Sequence, residues 1–146
     1  MFHIILTIML IEINNQTSFV IPAPKVISLL KFAAEKLAVK KGLNVSVAFV
    51  SEKRIKELNR RYRGKNNSAD VLSFRLNQLE AEIIICPAKA KKQAKDAEYS
   101  LQKEILILVL HGFLHILGFD HERSLAKARE MEKVERAIIG KFKSVW

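Results

Sequence analysis

Three of the chain's four histidines fall within eleven residues, in the string His111-Gly112-Phe113-Leu114-His115-Ile116-Leu117-Gly118-Phe119-Asp120-His121. Four apart on a helix, His111 and His115 share one face, with Cβ atoms about 5–6 Å apart. Gly118 can take a left-handed backbone, end that helix and turn the chain so that His121 comes back toward the pair. Three neutral imidazoles on one ion leave coordination positions open, and a water there can have its pKa lowered to about 7 in zinc sites. That chemistry supplies hydroxide at neutral pH. By residue type alone the ion is zinc, nickel or copper. Both helical histidines interrupt the apolar run 105–117, where an imidazole without a partner is costly to bury. A ligand role accounts for them together.

The spacing also follows the metzincin protease pattern H-E-x-x-H-x-x-G-x-x-H, with Gly112 at the position of the general-base glutamate. A peptide-cleaving zinc site needs that carboxylate to activate water. Two readings of such a site stand beside each other here: a metzincin-like hydrolase, which Gly112 disfavours, and a non-catalytic factor whose metal is structural. Asp120 either orients an imidazole or shapes the turn. Glu104, two turns before His111, is read as a base or, more simply, as a partner for nearby lysines.

The elements that must position these residues follow from periodicity and punctuation. Residues 1–13 are apolar with few polar interruptions and read as a buried strand running into Asn14 and Asn15, with Met9 an alternative start. They lack a basic n-region and are too short to span a bilayer. Pro22 and Pro24 suit a helix start, apolar residues follow at helical spacing from Val26 to Leu37, and Gly42 closes that helix. Residues 44–50 read as a strand, and Ser51 N-caps a helix running to about Arg61. Tyr62 either stacks a base or packs in the core, and its alignment with Ile55 and Leu58 favours the core. Residues 71–74 and 81–86 are short strands, and the lysine-rich stretch 89–103 is helical. Residues 104–117, apolar nearly all round, form a central buried helix, and residues 122–143 close the chain as an amphipathic helix. The sum is a single α+β domain over residues 1–146, with about four strands and a zincin-like central helix carrying the histidines.

The formal net charge is +10, with 25 basic against 15 acidic residues. That excess favours a polyanionic partner, nucleic acid or an acidic membrane, and charge alone does not choose between them. Lys89, Lys91, Lys92 and Lys95 form one basic patch. Cys86 is the only cysteine, which excludes a disulfide framework and a cysteine-rich zinc module and fits a reducing cytoplasm.

The histidine string resembles the H-G-x-L-H-x-x-G-Y/F-D-H motif of the YbeY family of bacterial rRNA maturation factors. A second stretch, from Leu58-Asn59 through Tyr62-Arg63-Gly64-Lys65 to Asp70-Val71-Leu72-Ser73-Phe74, resembles that family's L-N-x-x-Y-R-x-K-x-x-x-T-D-V-L-S-F segment. The similarity runs from about residue 9 to residue 140. This chain departs from the pattern at Ala69 (usually threonine), Arg75 (usually proline) and Ala81-Glu82 (usually Gly-Asp). The resemblance implies a cytoplasmic, single-strand-specific endoribonuclease acting in 16S rRNA 3′-end maturation and ribosome quality control. It implies one zinc ion per chain on His111, His115 and His121, and a functional role for Arg63. The implied partners are single-stranded RNA, rRNA in particular, and the small ribosomal subunit. Neither a membrane nor an obligate protein partner is implied.

Seven cations lie between residues 53 and 65, opposed only by Glu57, a density that can track a phosphate backbone. Arg63 stands out at the junction of helix and loop, where a guanidinium can grip a phosphate bidentately and neutralise charge in the transition state. Arg60 and Lys65 are the candidate RNA contacts beside it, and the family resemblance implies a further contact to extended RNA at Ser73 and its strand backbone.

Overall fold

The computed structural model describes residues 9–39, 42–64, 69–120, 122 and 124–142. Among them the chain is α+β, in the order β1 (Ile11–Asn15), α1 (Ala23–Lys36), β2 (Asn44–Phe49), α2 (Glu52–Arg63), β3 (Val71–Arg75), β4 (Glu80–Ile85), α3 (Pro87–Ala97), α4 (Leu101–Ile116) and α5 (Leu125–Phe142). The four strands form one sheet in the order β1-β2-β4-β3. The first three run parallel, and β3 pairs antiparallel with β4, with Ser73 opposite Ile83.

Helices cover both faces of the sheet's centre, so its inner strands are apolar on both sides. In β4, Ile83 and Ile85 join the large core beneath α1, α4 and α5, while Ile84 joins Leu58, Ile55 and Leu72 under α2. At the margin, β1 buries only one side: Ile11 and Ile13 pack on the large core and Glu12 and Asn14 are exposed.

Helix α4 packs against α1, α3, α5, β3 and β4, which explains its apolar circumference. Ten of its sixteen residues are buried. Gly112 permits this closeness: a Cβ there would meet Ile83 Cγ2 at 3.0 Å and Val71 Cγ2 at 3.3 Å. The position that carries the general base in the protease pattern therefore sits against the sheet, where any side chain must push Ile83 and Val71 aside.

Several boundaries differ from expectation. Helix α1 ends at Lys36, not at Gly42, because Ala38 turns left-handed at φ 50°. The stretch 89–103 is broken: Glu98, also left-handed, ends α3, and the Ser100 hydroxyl accepts the Lys103 N–H to start α4. Helix α2 runs two residues beyond the expected end, to Arg63. Ser51 caps its start as anticipated, accepting the Arg54 N–H at 3.1 Å, and Gly64 closes it with a left-handed turn. No helix among the described residues is long and apolar enough to cross a membrane.

Candidate metal and nucleic-acid site

The last two turns of α4 carry the paired histidines. Their rings meet edge-on, 4.8 Å between centroids, and the two Nε2 atoms are 3.2 Å apart. Two nitrogens on one tetrahedral ion, each at 2.0–2.1 Å, would stand about 3.3 Å apart, so the pair is spaced to hold a single ion. The opposite nitrogen of His111 is committed elsewhere. Its Nδ1 lies 2.6 Å from the Glu135 carboxylate on α5. In the neutral imidazole that carries its proton on Nδ1, the Nε2 lone pair is directed at the partner ring.

Glu135 was not singled out from the sequence, although a signal was present. The buried face of α5 is Met131, Ile138 and Phe142, and position 135 falls on that same stripe. A carboxylate among apolar neighbours at helical spacing asks for a partner, and His111 is it.

Past His115 the helix ends as Gly118 dictates. Gly118, at φ 99°, donates to the His115 carbonyl, and Phe119 donates to that of Leu114. This is the paired hydrogen-bond pattern of a left-handed helix stop. Asp120 then accepts the Glu122 N–H at 2.8 Å, so it does shape the turn. His121, the expected third ligand, lies outside the described residues, as does Lys65. Among the described residues no group of three His, Cys, Asp or Glu side chains is arranged to hold a metal.

The histidines open onto a cleft of about 970 Å³ that Arg63, Tyr62, Ser73 and Arg75 also line. Three separate elements meet there: α4, the C-terminus of α2 and the edge strand β3. The Cys86–Asp70 and Leu76–Glu80 backbone bonds fix the phase of the β3–β4 ladder. By antiparallel alternation, Val71, Ser73 and Arg75 then turn their backbone N–H and C=O groups to the outer edge of the sheet. Arg60 is exposed on α2 one turn before Arg63 and is not among the described residues lining the cleft.

Arg75, the departure from the family's proline, has a visible task. Its Nε donates to the Ile116 carbonyl at 3.4 Å and its Nη1 to the Gln78 carbonyl at 3.0 Å. It thus ties the end of β3 to the C-terminus of the histidine helix, where a cation is favoured.

Two other expectations need correction. Tyr62 is not a core residue but 60 % exposed. It continues the stripe of Leu58, yet at the end of α2 its ring meets Phe74 of the edge strand β3, 5.5 Å between ring centroids, and leaves much of its surface open. Glu104 is buried and accepts a hydrogen bond from the Tyr99 hydroxyl, so it serves neither as a base nor as a partner for surface lysines. Burial, then the bond to Glu104, pushes the Tyr99 phenol up to about 12. Cys86 is fully buried, and that burial raises its thiol, as suits a structural residue.

Fold and site together define a class: an α+β protein whose sheet-backed helix presents paired imidazoles to an open, arginine-bearing cleft. The chain belongs to the YbeY family, matching the family described as Endoribonuclease YbeY over residues 12–143. It is 39% identical to the Endoribonuclease YbeY of Thermodesulfovibrio yellowstonii, covering 90% of this chain and 95% of that one. It is 40% identical to that of a Geobacillus species, over 73% of this chain and 74% of the relative. Its structure resembles the solution structure of TM1509 from Thermotoga maritima, with a TM-score of 0.62, 30% identity, and coverage of 92% of this chain and 93% of that one.

Proposed function

We propose that this protein is a metal-dependent endoribonuclease, specific for single strands, that matures the 3′ end of 16S rRNA and acts in ribosome quality control. Residues 1–146 form one such domain, cytoplasmic, with the small ribosomal subunit as its setting. The family's endoribonuclease naming supports the reading. The observation that carries it is the meeting of the His111–His115 pair with Arg63 in one cleft.

Zinc is the cofactor in this reading, held by His111, His115 and His121 on a zincin-like helix. When bound, it acidifies water and polarises a phosphoryl oxygen. The chain's own residues do the rest. Glu135 keeps the proton of His111 on Nδ1 and so keeps Nε2 available. Arg63 faces the phosphate and neutralises charge developing on its oxygens. Ser73 and the outer edge of β3 hold the extended strand, with Arg60 and Lys65 on the flanking backbone. A peptidase is disfavoured, since Gly112 packs on Ile83 where the protease base would stand.

The test combines elemental analysis of natively purified protein with cleavage of labelled single-stranded and duplex RNA. About one zinc per chain is expected, with the single strand cut, the duplex spared, chelation stopping the reaction and zinc restoring it. Undiminished cutting by metal-free protein would sink the proposal. End-group analysis of the products separates attack by water from attack by the RNA 2′-hydroxyl, since only the latter leaves a 2′,3′-cyclic phosphate.

Replacing Glu135 should loosen the ion without touching the ligands. Partners of this kind are worth about 10–100-fold in metal affinity. Glu135→Gln is expected near the low end and Glu135→Ala near the high end, read by competition with a chromogenic chelator. Equal affinity in all three proteins would show that the contact does not tune the site.

A further inference from the structure

We propose that Tyr62 and Phe74 form a stacking platform for one nucleobase, over which the RNA strand leaves the histidine cleft and enters a second groove beneath α2. The inference rests on the RNA reading above and adds a base-binding subsite to it. A single exposed aromatic ring is ordinary on a protein surface, but four observations set Tyr62 apart.

The first is its place. Tyr62, Phe74 and Arg75 line both the histidine cleft and a separate groove of about 450 Å³, so the two cavities meet at this pair. The second is its pre-organisation. The rings are 5.5 Å apart at 57°, and the Arg61 guanidinium lies 5.9 Å from the Tyr62 centroid. Tyr62 is thereby supported on one side while remaining 60 % exposed.

The third is charge. Arg75 lines both cavities, Arg63 lines the histidine cleft and Arg61 lies against Tyr62, so a phosphodiester crossing between the cavities has cations at hand. The fourth is the groove's interior: Leu58 and Ile84 give it apolar walls, and Glu82 and Arg54 also line it. The Glu82 carboxylate repels a phosphate but tolerates a neutral base. Cations that follow the backbone, with an aromatic face for the base, are how proteins hold single strands without reading sequence. A duplex cannot offer an unstacked base to such a platform, so the subsite also gives a physical source for single-strand preference.

The test is binding of a short labelled oligoribonucleotide, by fluorescence anisotropy, with its integrity checked on a gel. Stacking of one base predicts that Tyr62→Ala weakens binding about tenfold. Tyr62→Phe and Tyr62→Trp should retain it. The salt dependence should keep its slope, because no counterion contact is lost. A set of oligonucleotides with one abasic position moved along the strand provides the second arm. At one position the parent protein should lose about as much as Tyr62→Ala loses, and Tyr62→Ala should lose nothing more. If the parent binds and Tyr62→Ala binds equally well, the platform is overturned and the RNA reading stands. If the parent holds no single-stranded RNA, both fall together.

Discussion

Arg63→Ala is expected to slow RNA cleavage by about 100–1,000-fold, the usual cost of removing one donor aimed at developing negative charge. Binding should weaken by no more than about tenfold, and its salt slope should drop by about one, the share of a single phosphate contact. The asymmetry follows from position. Arg63 is the last residue of α2, exposed, and lines the cleft that the histidines open onto. The other cations of that helix are spread over its surface, and some are already engaged, as Arg54 is with Glu57 at 3.3 Å. Arg63→Lys should recover binding but little of the rate, because an ammonium cannot reproduce the planar two-point grip. Single-turnover rates set beside anisotropy titrations check this. Equal losses in rate and affinity would reduce Arg63 to a backbone clamp.

What could be read in the sequence was what is local. The shared face of His111 and His115 follows from helical spacing, and the stop after it follows from a glycine whose φ of 99° few other residues adopt. Ser51 and Gly64 bracket α2 by the same local rules. The failures are tertiary. Periodicity gave Tyr62 a face but not the sheet edge at which that face runs out of partners. It put Glu104 on the histidine helix without showing that Tyr99 folds back onto it. Gly112 looked like a missing catalytic base, and only the packing of α4 on Ile83 and Val71 shows that a side chain there would crowd the sheet. The helix break at Glu98 depends on a left-handed residue that its type does not announce. Glu135 lies 24 residues from the histidine it holds, so no motif spans the pair; the clue was a charge out of place on an apolar stripe.

His115→Ala is expected to reduce bound metal to near zero and cleavage by at least about a thousandfold, since a catalytic ion supplies several kcal/mol and each 1.4 kcal/mol is a factor of ten. The choice of histidine matters. His111 is tied to a half-buried carboxylate on α5, so its removal would strand Glu135 and blur a loss of metal with a loss of packing. His115 meets His111 edge-on in the last turn of α4, and the body of α4 is held by buried residues on its other faces. The melting temperature of His115→Ala should therefore match that of the metal-free parent within a few degrees. Melting curves with and without zinc, run beside the cleavage assay, give the comparison. The pairing also separates a working ion from a structural one. A structural metal would make His115→Ala melt far lower and would let any folded, metal-free fraction still support rRNA maturation. A working metal leaves the variant folded and inert, because the chemistry depends on the ion while the packing that holds α4 against the sheet does not.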